Sequence, residues 1–161
     1  MESSAGGRCG EIASDMAIIL VTVVQLIFLI SFHEYIAWPV TEPDGSVTRL
    51  SMLTDGYSTW LPFPITASIV VIVASIIMIV YNRYWFRQGA WVLFCLLGIA
   101  VTVSLVSIFP FDFSVIPHAA AVDVVPIVVR AFFIAMAAFY GVCALLLFRS
   151  LRRHMAEQGT R

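Results

Sequence analysis

The sequence predicts an all-α integral membrane protein, a bundle of four transmembrane helices with a small extracytoplasmic cap. Of its 161 residues, 61% are hydrophobic and only 12% are charged, and the mean hydropathy is +0.97. Soluble domains of ordinary composition are roughly 45–50% apolar and about 25% charged. Four long apolar runs separated by short polar segments complete the pattern, so the chain is expected to lie in a bilayer.

Each apolar run is long enough, or nearly so, to cross a hydrocarbon core, which needs roughly 17–25 helical residues. Lipid offers no partner for backbone N–H and C=O groups, so each crossing segment must be helical. Ser14 and Asp15 are expected to precede the first helix, and Pro64 and Pro126 to mark the starts of the second and fourth. A single domain is predicted, with spans at about 16–32, 65–81, 90–109 and 126–148 and with cytoplasmic tails at 1–15 and 149–161.

The distribution of arginine predicts the orientation. All nine basic residues are arginine, a usage that we take as typical of a GC-rich bacterial genome. The two loops predicted on one side carry Arg49 alone against six acidic residues. By the positive-inside rule, both termini face the cytoplasm of a bacterial inner membrane. The arginines that set this orientation lie in the turn between the second and third spans and in the C-terminal tail: Arg83, Arg87, Arg149, Arg152, Arg153 and Arg161.

Segments outside the spans carry further signals. The N-terminal segment has no A-x-A cleavage site, so the first helix is expected to stay attached. The Pro-Asp-Gly sequence at 43–45 predicts a small β-hairpin in the first outer loop, which forms the cap together with the second outer loop. Arg149, Arg152 and Arg153 are expected to contact anionic lipid at the cytoplasmic surface. Aromatic belts are predicted at both interfaces: Tyr35, Trp38, Tyr57 and Trp60 outside, and Tyr81, Tyr84, Trp85 and Trp91 inside.

Arg130 is the charge that most needs an explanation, because it follows Pro126 closely in the fourth span. A charge at the bilayer centre costs about 2.5–3.5 kcal/mol on insertion scales. If the helix begins at Pro126, the guanidinium lies about one turn, roughly 6 Å, below the outer interface. The preferred interpretation is an ion pair with Asp112 or Asp123 that pins the outer loop. The alternative is a functional role, in binding an anionic head group or substrate or in a polar path.

Polar groups within the spans are scarce. Gln25 is the large polar side chain near the middle of the first span, and we expect it to bond a neighbouring helix, which contributes about 0.6 kcal/mol. No acidic residue lies in a predicted membrane core, which disfavours a carboxylate proton relay. The second functional hypothesis is a small transporter or channel that acts as a homo-oligomer, with Arg130 selecting an anion.

The third hypothesis is a metal or redox site on the outer face. His33, Glu34 and His118 map to that side with Asp112 and Asp123, and imidazole and carboxylate ligands suit zinc, copper or iron. Their spacing forms no ligand pair on one helix, so no metal or other cofactor is predicted. Cys95 and Cys143 lie at similar depth in the third and fourth spans; we interpret them as buried apolar side chains that meet if those helices are neighbours.

The leading hypothesis is an accessory or structural subunit that packs against partner membrane proteins or against itself. No C-x-x-C, G-x-S-x-G or H-E-x-x-H motif is present, so no catalytic residue is predicted. A formal charge of -1 disfavours nucleic acid as a partner. Small residues at helical spacing favour close helix packing in lipid: Ala67 and Ala74, Ser68 and Ser75, Gly98 and Thr102, Ala131 and Ala135, and Ala137 and Gly141.

Overall fold

The computed structural model describes residues 3–31, 36–41, 45–81, 83–114 and 119–159. Its four candidate membrane spans, Gly10–Ser31, Gly56–Tyr81, Tyr84–Ile108 and Val122–Arg153, confirm the predicted multi-pass helical architecture. Which membrane holds the chain and which end faces the cytoplasm stay predictions. The elements in chain order are α1 (Ser3–Ser31), β1 (Ala37–Thr41), β2 (Val47–Ser51), α2 (Gly56–Trp60), α3 (Pro62–Tyr81), α4 (Tyr84–Ile108) and α5 (Ala119–Gly159).

The helices extend beyond the apolar runs that predicted them. Asp15 lies inside α1, which begins at Ser3, so the expectation that Asp15 precedes the helix is wrong. Pro126 lies inside α5 rather than in its first turn. The helix continues upstream through three alanines, the strongest helix formers, although an interior proline removes one backbone hydrogen bond and crowds the preceding turn. Arg130 therefore lies eleven residues after Ala119, about 16 Å along the axis.

The helices pack as a row in which α1 contacts α3, α3 contacts α4, and α4 contacts α5 most extensively, with the short α2 against α3 and α4. Among the described residues, α1 and α5 do not pack extensively against each other. The α4–α5 contact depends on Gly98, where an added Cβ would lie 3.1 Å from the Tyr140 ring. At Gly141 an added Cβ would meet no atom within 4 Å, so that part of the predicted small-residue stripe has no partner close to it in the described chain.

One end of the bundle is closed by the two longer connections. Strands β1 and β2 pair antiparallel, and Gly45 has a φ of 84°, which confirms the predicted hairpin. The second connection joins the first through backbone hydrogen bonds from Thr54 N to Pro110 O at 3.0 Å and from Asp112 N to Met52 O at 2.8 Å. We call this the hairpin end, and the opposite end, with the α3–α4 connection, the turn end. That the hairpin end is extracytoplasmic stays a prediction.

Candidate functional site

A cavity of about 570 Å³ lies among the four long helices. Along α1 it runs from Ile18 to Leu29, a distance of about 16 Å at 1.5 Å per residue. Its volume falls within the roughly 300–1,000 Å³ that is usual for ligand sites. The wall residues most relevant to its chemistry are Thr22, Gln25, Ala67, Ser68, Trp91, Cys95, Thr102, Met136 and Tyr140.

Tyr57 and Trp60 of α2 form the wall of this cavity at the hairpin end. The Tyr57 hydroxyl donates to Leu29 O at 2.7 Å, and Trp60 Nε1 donates to Val101 O at 3.4 Å. Both rings are buried and pack with Leu105. Their prediction as interfacial belt residues is wrong, because α2 turns them inward between α3 and α4.

Gln25 and Tyr140 bring polar groups to the cavity. The Thr22 hydroxyl donates to Ile18 O and the Thr102 hydroxyl to Gly98 O, each at 2.7 Å, so both threonines are satisfied within their own helices. Gln25 is exposed on α1, and across the described chain its side chain has no hydrogen-bond partner, although it was expected to bond a neighbouring helix. Among the described lining residues, none is charged. The cavity therefore suits a neutral, mainly apolar molecule that carries a hydrogen-bonding group.

Cys95 and Cys143 lie on the neighbouring helices α4 and α5. Both thiols are free, with Cys95 buried and Cys143 half-buried. Cys95 also contributes to the cavity wall. The condition for the two thiols to meet, that their helices are neighbours, is thus fulfilled, and that the thiols are in contact stays a prediction.

The buried ion pair of the described chain lies at the turn end, between α1 and α4. Arg87 donates through Nη1 and Nη2 to the two oxygens of Asp15, at 2.7 and 3.1 Å. The Asp15 side chain is 0% exposed and that of Arg87 is 15% exposed. Two parallel hydrogen bonds of this kind fix the relative position of the two helices. From the sequence, Asp15 was predicted to precede the first helix, and Arg87 was used only to predict the orientation of the chain in the membrane. The signal that the two could pair was their opposite charge at the same predicted membrane border.

Arg130 lies at the hairpin end but forms neither of its expected ion pairs. Its Cζ lies 4.2 Å from the centre of the Phe109 ring, a cation–π geometry. The prediction of pairing with Asp112 or Asp123 is wrong. Within the described residues, neither carboxylate lies within salt-bridge distance of the Arg130 guanidinium. Asp123 is instead exposed on α5.

Asp112 belongs to the sequence Phe-Pro-Phe-Asp-Phe-Ser at 109–114. Phe109 has a φ of 43° and ends α4 in the left-handed region, and its ring lies 5.7 Å from that of Phe111 and 6.2 Å from that of Phe113. Hydrogen bonds from the Ser114 side chain and then its backbone amide hold the pKa of the Asp112 carboxyl below its ordinary value, the amide donating at 2.9 Å. The segment is thus an ordered turn over the bundle.

The remaining predicted site residues are dispersed. Arg149, Arg152 and Arg153 are exposed near the end of α5. His33, Glu34 and His118, the metal-site candidates, lie outside the described residues. Within the described ranges, no group of three or more His, Cys, Asp or Glu side chains is placed to hold a metal ion.

Sequence reasoning found Gln25 but not the cavity that it lines. Four apolar helices can form a closed bundle or an open row. Because the apolar pattern of the sequence is the same in both arrangements, it does not predict a cavity between the helices. The spacing of Tyr57 and Trp60 was the one local signal of an inward-facing wall, because residues three apart share a helix face. Comparisons of this chain with protein-family models, curated proteins and solved structures find no match.

Proposed function

We propose that this chain is a membrane-embedded binding protein for a neutral lipophilic molecule that carries a hydroxyl or carbonyl group. The observation that carries the proposal is the cavity of about 570 Å³ among α1, α3, α4 and α5. Such a molecule reaches the site from the bilayer, and the weak packing between α1 and α5 supports entry between those helices.

Gln25 supplies the argument for a polar group on the ligand. A side-chain amide away from water costs about 1–3 kcal/mol when its hydrogen bonds are not made. The nearby threonines already donate to their own helices, so they cannot donate to Gln25 as well. A ligand hydroxyl or carbonyl at the level of Gln25 would remove that cost, whereas a plain hydrocarbon chain would not.

The same cavity supports a binding role more than the transporter hypothesis. Its described wall has no charged side chain, and a path for ions or protons through a bilayer usually includes one. A ligand carrier can also serve as an accessory subunit, because a partner enzyme or transporter could take the bound molecule from it. The leading sequence-based hypothesis, an accessory or structural subunit that packs against partner membrane proteins, stays a prediction that is compatible with this binding role.

Photolabelling tests the proposal with a defined probe, hexadecanol that carries a diazirine on its chain, added to the protein in lipid nanodiscs. We expect label on cavity-wall segments around Cys95 and Met136, and competition by excess unlabelled hexadecanol. Label on the bilayer-facing residues Val80 and Ile127, both strongly exposed, should not be competed. Equal, uncompetable labelling of both groups would contradict the proposal.

Two variants separate the cavity from the lipid-facing surface. Ala67→Phe places a ring in the cavity and should reduce competable label at least tenfold. Its matched control, Ala100→Phe, adds the same ring at an exposed position on α4 and should leave the label unchanged. Both proteins must give the same circular dichroism spectrum as the wild type, and a label unaffected by Ala67→Phe would contradict the proposed site.

Gln25→Leu tests the polar contact. We expect about fivefold weaker competition by hexadecanol, which corresponds to the loss of one hydrogen bond of about 1 kcal/mol. Competition by hexadecane, which has no hydroxyl, should be unchanged. If both competitors weaken equally, Gln25 contributes shape rather than a hydrogen bond, and the ligand class is wrong.

A further inference from the structure

A second cavity, of about 490 Å³, lies at the turn end between α3, α4 and α5. Its small residues Ala74, Gly89 and Ala90 leave room between the helices, and at Gly89 an added Cβ would meet no atom within 4 Å. Leu93 and Leu151 contribute apolar walls. We call this space the turn-end crevice; it is separate from the cavity of the proposed function.

Aromatic rings stand at the α4 side of the turn-end crevice. The Trp85 and Phe86 rings lie 6.1 Å apart at 87°, and Trp85 is 61% exposed. Trp85 was predicted as an interfacial residue, and an exposed tryptophan beside an apolar crevice is typical of the head-group boundary of a bilayer. The crevice is therefore expected to lie just inside that boundary, where the upper part of an acyl chain is found.

Arginines lie close in the chain to lining residues of the turn-end crevice on two helices, α4 and α5. Arg83 directly precedes α4, whose first turn lines the crevice, and Arg152 and Arg153 follow the lining residue Leu151 on α5. These three side chains are exposed, and within the described residues none of them forms an ion pair, unlike the neighbouring Arg87. Exposed positive charges that stand so close in the chain to the lining of an apolar slot favour an acyl chain with an anionic head group as its occupant.

We infer that the turn-end crevice binds an anionic phospholipid, with one acyl chain against Gly89 and Leu93 and the phosphate held by Arg83 and Arg152. The N-terminal end of α4 adds to the attraction, since the helix dipole favours a negative charge there. This site gives a specific place to the lipid contact that the C-terminal arginines predict. It does not depend on the lipophile-binding proposal, because the two cavities have no lining residue in common.

Native mass spectrometry of the full chain tests this inference. The protein is transferred from phosphatidylcholine bilayers into detergent that contains equal amounts of phosphatidylglycerol and phosphatidylcholine. We expect one phosphatidylglycerol retained per chain in preference to phosphatidylcholine. Arg83→Gln and Arg152→Gln should each weaken retention about fivefold. Arg8→Gln, an exposed arginine on α1 away from the crevice, is the matched control and should change nothing.

The acyl-chain half of the site has its own variant. Gly89→Leu fills the turn-end crevice without changing any charge and should abolish the preference, whereas Gly141→Leu, also at an open position, should preserve it. Three results would overturn the inference. They are loss of the lipid preference in both glycine variants, equal retention of both lipids by the wild type, and displacement of the bound phosphatidylglycerol by millimolar inorganic phosphate alone. A change in oligomeric mass with Gly89→Leu, with lipid retention unchanged, would show that a second copy covers the crevice and would overturn it as well.

Discussion

Two arginines near opposite ends of the bundle have very different surroundings. At the turn end, Arg87 makes two hydrogen bonds to a carboxylate that is 0% exposed. At the hairpin end, Arg130 is exposed and lies over the face of Phe109. The difference shows that the position of a charge within an apolar run does not determine its role, which depends on the group that the fold brings within reach.

The comparison also concerns how each end is held together. At the turn end, the buried ion pair joins α1 to α4, two helices that have no extensive backbone packing with each other. At the hairpin end, backbone hydrogen bonds and aromatic packing join many groups, each of modest strength. We therefore expect one large mutational effect at the turn end and several smaller effects at the hairpin end.

Arg87→Met should produce the largest loss of stability. Removing one partner of a buried pair leaves Asp15 without compensation, and such changes cost about 3–5 kcal/mol. Equilibrium unfolding in mixed micelles, followed by circular dichroism, measures this loss. Arg83→Met, at an exposed position one turn earlier, should change the free energy of unfolding by no more than about 0.5 kcal/mol.

A double variant sharpens the first prediction. Asp15→Leu combined with Arg87→Met removes both charges and should recover most of the lost stability, because apolar replacements of buried pairs are often neutral or stabilising. If the double variant is as unstable as Arg87→Met alone, the unpaired Asp15 charge is not the cause of the lost stability. The two ends of the bundle would then differ less in how they are stabilised than their geometry indicates.

Tyr57→Phe should have the next largest effect, at the hairpin end. The hydroxyl donates to Leu29 O, one of the last carbonyls of α1, which have no partner within the helix. Its loss should cost about 0.5–1.5 kcal/mol in the same unfolding experiment. Tyr81→Phe, on an exposed ring, serves as the control; an equal loss in both variants would rule out a specific role for the Tyr57 hydroxyl.

Arg130→Met should cost about 0.5–1 kcal/mol, the usual contribution of an exposed cation–π contact, and Phe109→Leu should remove the same interaction. Asp123→Asn should leave stability unchanged, because this carboxylate has no contact with Arg130. A double-mutant cycle between Arg130 and Asp123 measures the coupling directly. Coupling above about 1 kcal/mol would restore the ion pair predicted from the sequence and remove the contrast with Arg87.

Ser114→Ala should have the smallest effect, on the pKa of Asp112 alone. The Ser114 side chain helps to hold this pKa below its ordinary value, so its removal should raise the pKa toward that ordinary value. A carboxyl with a lowered pKa stabilises the fold above its unfolded pKa, and the contribution is lost as the pH falls through the folded value. Carbon NMR titration of the Asp112 carboxyl measures the shift; an unchanged pKa would show that the backbone amide suffices.

Much of the fold could be predicted from residue pattern alone, and the misses have physical causes. The four spans follow from apolar length, and the hairpin from Pro43, Asp44 and Gly45, since these signals are local. Asp15 and Pro126 misled the prediction of helix ends, because helix continues into the polar interface wherever good helix formers flank the span. Gln25 was recognised as unusual, but its position on the wall of a cavity depends on the packing of four separate helices.

Residue pattern alone is sufficient to predict a four-span helical membrane protein, because a long apolar segment in lipid can satisfy its backbone hydrogen bonds only as a helix. Which charges meet, where Tyr57 and Trp60 point and where the helices leave space are visible only in the folded chain. Those features depend on contacts between residues far apart in the chain, such as Asp15 with Arg87 and Gly98 with Tyr140. Apolar patterning specifies that helices associate, while side-chain shape and charge specify how closely and in what order.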